Sequence, residues 1–436
     1  MKFGTDGFRG PVETDITPEF CLKLAHHTGK IILEEGYDSV IIGKDTRVSG
    51  YMLESALQAG FISSGINVKL AGPIPTPAVS FLTATYQGQF GVVVSASHNP
   101  YCDNGIKFFN RFGRKISKDL EKRIESKFND KIDPESPEKL GKAFRIDSAS
   151  GRYIEYCKST LRGKSDLKGK TILVDAANGA NYKITPMLLE ELGAKVIRVN
   201  CVPDGKNINE KCAVLDQNLF QDYASKYNFD YCAAIDGDGD RLVLSDHEGN
   251  IFSGDEILFL LALKNIREGT KGSNKVVGTE MTNSGIGEAL KKFDIELLRA
   301  DVGDKHISRM LVEEDLVLGA ESSGHIIQRQ YSESGDANIA LIQTIVELNE
   351  SKNTLQKIRS QINYRPSVLK SFPVKNFLVL KNQDFQNCLN GIKAKNNDIR
   401  LSVRKSGTER KIRIRIEGDD DNNINKIMHK LENFLV

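Results

Sequence analysis

What most constrains this chain is a repeated alternation of short apolar runs, rich in β-branched residues, with amphipathic helical stretches. Units of this kind assemble a mainly parallel, helix-covered sheet, because a parallel strand pair needs a crossover long enough to hold a helix. The alternation occurs three times. In the first length, SVIIGKD (39–45) and FGVVVSASHN (90–99) read as strands ending in polar loops, with a helix from Leu53 to Gly65 between them. It closes in a charged helix near 117–130, the acidic stretch Ile132 to Glu138 and a linker helix over about 147–162. In the second, KTILVDAANGAN puts a strand before an Asn-Gly turn, a helix over 184–192 leads to AKVIRVN, and a helix over 216–227 precedes FDYCAAIDGDGDRLVLSDHEG, read as strand, loop and strand. The third runs from a helix over 254–266 through KVVGTEM and DIELLRADVG to LVLGAESSGHII. The tail differs: KNFLVLK, IRLSVRK and KIRIRIE alternate with period two before a final helix over 422–434, which predicts a smaller α+β unit whose antiparallel sheet has one wet face. The expected fold is therefore three similar mixed-sheet α/β domains, 1–150, 151–252 and 253–365, followed by an α+β domain, 366–436. A length of 436 residues accommodates four such units.

Charge excludes a global electrostatic role. Lys and Arg number 60 against 58 Asp and Glu, a net charge of +2, so any phosphate site has to be built locally. The longest apolar stretches, such as Ile257 to Leu263, fall short of the ~20 residues that span a bilayer. The opening MKFGTDGFRG has no apolar core of a signal peptide, so a cytoplasmic protein without membrane contact is expected. Seven scattered cysteines without C-x-x-C spacing read as reduced thiols rather than a disulfide framework or zinc site.

Four loops carry chemistry. In DGDGDR (236–241), Asp236, Asp238 and Asp240 alternate, so in an extended loop their carboxylates fall on one face, and three oxygen ligands without His or Cys select a hard cation such as Mg²⁺. The segment is not a calcium EF-hand, which needs Gly where Arg241 stands and Glu where His247 stands; a solvated acidic turn is the alternative. In SASHNPYCDNGIKFF (95–109), Ser97 follows an apolar strand and offers a hydroxyl at its carboxyl end, with His98 and Lys107 available for protons or charge. A structural serine, a loop-capping histidine and a surface lysine are the plain readings of the same residues. In GAESSGH (319–325), Glu321 and Ser323 point the same way if the segment is extended, suiting a polyol or amino sugar, and His325 lies just beyond as an acid or base; a helix N-cap at Ser322 or Ser323 is the alternative. In RKSGTERKIR (404–413), Ser406, Gly407 and Thr408 offer hydroxyls and amides, while Arg404 and Arg413 offer forks for a phosphate dianion. A solvated basic turn would look alike, and no interleaved aromatics favour nucleic acid.

FGTDGFRG, SASHNP, DGDGDR, ESSGH and SGTE, in this order and across the whole chain, are similar to the motifs of the α-D-phosphohexomutase superfamily. FGTDGFRG, PDGKNINEKC (203–212) and the ESSGH loop most resemble its branch acting on glucosamine phosphates. The resemblance implies that the fourth domain is TATA-binding-protein-like and that all four line one central cleft. It implies a phosphoserine at Ser97 and one Mg²⁺ held by Asp236, Asp238, Asp240 and the seryl phosphate, with Arg241 beside the metal loop. Arg9 and Lys107 would act at the transferring phosphoryl group and His325 in proton transfer. Glu321 and Ser323 would hold the sugar, and Arg404, Ser406, Gly407, Thr408 and Arg413 the phosphate that is not reacting. The implied reaction is an isomerisation of glucosamine 6-phosphate and glucosamine 1-phosphate through glucosamine 1,6-bisphosphate, as intermediate or activator, feeding UDP-N-acetylglucosamine and peptidoglycan precursors. Its partner is a small sugar phosphate, not nucleic acid or membrane, and the chain is a monomer or homodimer. The alternatives are a phosphomannomutase or phosphoglucomutase of the same superfamily or, in another class, a Mg²⁺-dependent sugar phosphatase. Two positions depart from the family pattern: Arg410 stands where Pro usually follows SGTE, and Lys305 in VGDKHI stands for an Arg.

Overall fold

The computed structural model describes residues 2–4, 6–86, 89–161, 163, 166–396, 398–405 and 410–435. Three mixed sheets share one four-strand plan. In the first, Asn67–Pro73, Ser39–Lys44, Phe90–Val94 and Asp103–Phe109 lie side by side in that order. In the second the order is Lys195–Val199, Thr171–Asp175, Tyr231–Ile235 and Leu242–Asp246, and in the third Glu296–Ala300, Lys275–Thr279, Leu318–Ala320 and Ile326–Gln328. Each time the first three strands run parallel and the fourth returns antiparallel. The sheets are mixed because the last connection is a short loop, and a short loop joins only antiparallel neighbours. Those three loops, 95–102, 236–241 and 321–325, are three of the four that the sequence marks for chemistry. Asp103–Phe109, read as loop, is thus a strand, and its alternation turns Lys107 toward the cleft with Gly105 against the neighbouring backbone, where a Cβ would lie 2.6 Å from both Phe8 O and Ser95 O.

Apolar packing joins the three sheets. The helix Ala337–Ser351 is buried from Ala337 to Leu348, and its Leu341 and Ile345 belong to the same cluster as Val79, Tyr153, Leu188 and Leu258. The tail has its own core: Phe385, Ile412, Ile414, Ile416, Ile424 and Leu431 pack between a three-stranded antiparallel sheet (Ser367–Pro373, Lys411–Glu417, Arg400–Lys405) and the helices Gln383–Lys395 and Asp421–Glu432. KNFLVLK is not a strand there. The stretch Leu378–Lys381 forms a 3₁₀ turn whose start is capped by Asn376, while Asn382 caps the following helix, so local side-chain acceptors override the period-two pattern. The strand lies just before it, at Ser367–Pro373, on the far edge of Lys411–Glu417.

Among the described residues, polar contacts dominate where the tail meets the third unit. Glu417, 1% exposed, receives Arg415 at 2.6 Å, Arg400 at 3.0 Å and the backbone N–H of Ser284 at 3.1 Å. Arg400 also donates to the carbonyls of Thr282 and Glu280. Removing one member of such a network strands the other charges, so Glu417→Ala is expected to lose roughly 2–3 kcal/mol, somewhat under the value for wholly buried pairs because Arg400 stays partly wet. The tail would be released by limited proteolysis at lower temperature than in the parent. Unchanged cleavage and melting would show that this junction does not hold the tail.

Candidate active site

The serine loop begins where the strand Phe90–Val94 ends. Ser97, 3% exposed, has φ +52°, a left-handed conformation costing a non-glycine residue about 1 kcal/mol. This backbone aims its hydroxyl at the second unit, where Oγ donates to Asp236 Oδ2 at 2.8 Å. His98 Nδ1 lies 3.4 Å from the same Oγ. Burial, with Arg241 and Arg9 nearby, lowers the His98 ring to about 4, so it is neutral at physiological pH.

The aspartate loop is a turn rather than an extended segment: Gly239, at φ +79°, donates its N–H to Asp236 O at 3.1 Å. The turn still brings oxygens of Asp236, Asp238 and Asp240 within 4.8 Å of one another, all buried. Asp236 Oδ1 accepts the backbone N–H groups of Asp240 (3.2 Å) and Arg241 (3.1 Å). Asp238 Oδ2 accepts from Lys107 (2.8 Å) and Thr76 (2.7 Å), and Lys107 lies 3.7 Å from Asp240. Burial, then Asp240 and Asp238, push the Asp236 carboxyl well above its ordinary range. For Asp240, burial acts the same way but is overcome by Lys107 and His325, which hold it well below. Asp238 Oδ1 and Asp240 Oδ1 have no hydrogen-bond partner among the described residues. A buried all-oxygen donor set with two orphaned oxygens and surplus negative charge fits a hard divalent cation.

The outer shell alternates in sign. Lys107, held charged despite burial by Asp238 and Asp6, contacts Asp6 at 2.8 Å. Lys115 bridges Asp6 to Asp304 and so links the first unit to the third. Arg9 reaches Asn99 Oδ1 at 3.5 Å and Asp6 at 3.7 Å. His325 sits with Nδ1 3.7 Å from Asp240 and Nε2 3.8 Å from Asp304; although burial opposes its charge, these carboxylates raise it to about 9, so it is a cation at neutral pH.

The third loop also is a tight turn, since Gly324 N–H bonds to Glu321 O and Glu321 N–H to His325 O. Glu321 and Ser323 therefore do not alternate along an extended strand: Glu321 is buried, accepting Gly303 N–H at 3.1 Å, while Ser323 is exposed. No helix follows, which removes the N-cap reading; Ser322 instead donates to Asp255 at 2.8 Å. Gly324, at φ +92°, lies where a Cβ would stand 2.1 Å from Leu242 O, so this loop is pressed against the end of the aspartate loop. From the tail, Arg404 and Arg413 are direct partners on adjacent strands. Burial first, then Arg413, lowers Arg404, and Glu321 is close enough to act against them. Ser406, Gly407 and Thr408 lie outside the described residues. Arg410 is exposed, and the Lys305 N–H donates to Asp304 Oδ1 at 2.7 Å. Sequence reasoning missed Thr76, Asp6, Lys115, Asp304 and two further residues, Arg47 and Asn209, that hold the Ser97 loop from behind. Asp6, Asp304 and Asn209 lie inside FGTDGFRG, VGDKHI and PDGKNINEKC, so a motif signal was there without a role attached; Thr76, Lys115 and Arg47 are brought to the cleft only by long-range packing, and spacing carries no signal for them.

A buried hydroxyl facing a carboxylate cluster, ringed by lysine, arginine and histidine from separate α/β units, is an arrangement suited to charged oxyanion groups. The phosphoglucomutase/phosphomannomutase family models match the chain as α/β/α domain I over 1–135, domain II over 151–249, domain III over 253–364 and the C-terminal domain over 369–434. The chain belongs to this family, the α-D-phosphohexomutases. It is 42% identical over 431 residues to the phosphoglucosamine mutase of Psychromonas ingrahamii, covering 97% of this chain and 96% of that one. With the phosphoglucosamine mutase of Photorhabdus laumondii it shares 43% over 432 residues, covering 98% and 97%. The fold matches a phosphoglucomutase/phosphomannomutase family protein of Burkholderia thailandensis with TM-score 0.83 at 20% identity, covering 99% of this chain and 96% of that one. It also matches the N-acetylphosphoglucosamine mutase of Aspergillus fumigatus, solved with GlcNAc-6P and magnesium, with TM-score 0.71 at 16% identity, covering 100% and 95%. Among the described residues no helix is long and apolar enough to cross a membrane.

Proposed function

We propose that this chain is a phosphoglucosamine mutase, interconverting glucosamine 6-phosphate and glucosamine 1-phosphate through phosphorylated Ser97 and a 1,6-bisphosphate. The observation that carries the reading is the Ser97 hydroxyl, aimed by a left-handed backbone at three converging carboxylates. Near-full-length identity to phosphoglucosamine mutases supports the amino-sugar substrate. The catalytic units would be 1–150, 151–252 and 253–365, with 366–436 closing the cleft.

Asp236, Asp238, Asp240 and a seryl phosphate would hold one Mg²⁺, which when bound neutralises phosphoryl oxygens. In the first half-reaction the P–O bond to Ser97 breaks as a new one forms to the free sugar hydroxyl; Ser97 Oγ gains a proton and the sugar hydroxyl loses one. His98, Lys107 and His325 are the cleft groups that exchange protons or meet charge: His98 neutral, Lys107 and His325 cationic. Arg9 faces the carrier loop through Asn99. Glu321 and Ser323 would take the sugar's hydroxyl and amino groups. Arg404 and Arg413, like charges directly paired across two strands, would be brought to rest by the distal phosphate dianion, with Ser406, Gly407 and Thr408 beside it. The bisphosphate then turns end for end and returns its other phosphoryl group to Ser97. Among glucosamine, glucose, mannose and N-acetylglucosamine phosphates, the phosphorylated enzyme is expected to show its highest kcat/KM with glucosamine phosphate in a coupled assay. A higher value with glucose or mannose phosphate would overturn the substrate assignment.

A further inference from the structure

The segment PDGKNINEKC, 203–212, lines up with none of the reacting groups, yet it crosses from the second unit onto the first. Gly205 O accepts the Val48 N–H at 2.8 Å, and Asn207 O accepts from Asn178, whose own carbonyl takes the Thr46 hydroxyl at 2.5 Å. Asn209, at φ +61°, extends its carboxamide behind the carrier loop. Its Nδ2 lies 2.8 Å from Ser97 O and 3.0 Å from Asn99 O. Arg47, fully buried and paired with Asp45, reaches the same two oxygens with Nη2, at 3.3 Å from Ser97 O and 2.5 Å from Asn99 O. Each carbonyl oxygen has two lone pairs and each NH₂ group two hydrogens, so two donor groups saturate both acceptors.

We propose that Asn209, working with Arg47, is a positioning residue that fixes the phosphoryl-carrying serine relative to the carboxylate loop. The two donors come from different units. Arg47 belongs with the carrier strand, and Asp45 also accepts from Ser95, whose hydroxyl oxygen takes the Ser97 N–H at 3.0 Å. Asn209 belongs with the carboxylates and tethers the serine to their frame. Gly237 seals the junction: a Cβ there would lie 2.7 Å from Ser97 O and 2.8 Å from Asn209 Nδ2. The tether leaves Ser97 Oγ open, because it engages only the carbonyl side of the loop. Without it, the left-handed turn at Ser97 keeps its intrinsic cost and loses the contact from the unit that sets its distance to Asp236.

The inference rests on Ser97 being the carrier, so the test reads loading of that residue. The full chain and its Asn209→Gly and Asn209→Asp variants are mixed with glucose 1,6-bisphosphate and Mg²⁺, and phosphate on Ser97 is followed by quenched-flow mass spectrometry. Glycine accepts the left-handed backbone and removes the whole side chain with its carboxamide; aspartate keeps the shape but turns oxygen toward two carbonyls. Loading is expected to slow roughly 10- to 100-fold in Asn209→Gly and further in Asn209→Asp, with KM for the sugar phosphate within about twofold, since a misplaced reacting group costs rate more than binding. Loading at the parent rate in either variant, or a slowing that only tracks the folded fraction in a melting curve, overturns the positioning role. A parent chain that never acquires phosphate on Ser97 overturns the carrier assignment as well.

Discussion

Ser97→Ala is expected to lower mutase turnover by roughly 10⁴-fold or more, because Thr76, the other hydroxyl beside the carboxylates among the described residues, is tied up donating to Asp238 and leaves no substitute to hold the phosphoryl group between the two half-reactions. Stability should change little. The hydroxyl makes one hydrogen bond to Asp236, which keeps two backbone N–H donors on its other oxygen, so the loss is about 1 kcal/mol or less. A coupled assay with a parallel melting curve and intact mass separates the two effects. The parent should carry a phosphate of about 80 Da on the peptide containing Ser97 and the variant none. Turnover within about tenfold of the parent, in a folded variant, would rule out the seryl carrier; phosphate found on an aspartate instead would turn the reading toward a phosphatase.

Asp238→Ala has the second largest expected effect, a fall in kcat of roughly 10²- to 10³-fold comparable with losing a principal electrostatic stabiliser. Its second signature is thermal. Mg²⁺ that binds the folded parent stabilises it by ~2.7 kcal/mol at a hundredfold excess over Kd, relieving the crowding that pushes the Asp236 carboxyl up. In Asp238→Ala that melting response should largely vanish. In the absence of metal the variant leaves Lys107 with Asp6 at 2.8 Å and Asp240 at 3.7 Å, so the lysine is not stranded and the protein should still fold. An undiminished Mg²⁺-dependent rise in melting temperature would show that the cation sits elsewhere.

The chemistry of the cleft is written in local composition, which is why it can be read before any fold is known. Asp236, Asp238 and Asp240 repel one another wherever they are placed, and Ser97 follows an unmistakable strand. Their geometry was less legible. Alternation suggested extended loops at 236–240 and 321–323, whereas Gly239 and Gly324 fold both into turns by adopting positive φ. Period two misassigned KNFLVLK because Asn376 and Asn382 offer caps that an apolar pattern does not register. Arg47, Thr76, Asn209, Asp6 and Asp304 stayed hidden for another reason: each gains meaning only from a partner far away in sequence, such as Thr76 with Asp238.

The shared b-a-c-d sheet plan, with strands named in chain order, has a consequence for biosynthesis. Each α/β unit presents one short return loop at the same place, so Ser97, the Asp236–Asp240 loop and the 321–325 loop leave the ribosome in three successive instalments, with the tail last. A nascent chain in which units fold from the N-terminus therefore exposes the Ser97 hydroxyl before Asp236 exists to accept it. The Ser97 hydroxyl gains its Asp236 acceptor only once the second unit has folded against the first.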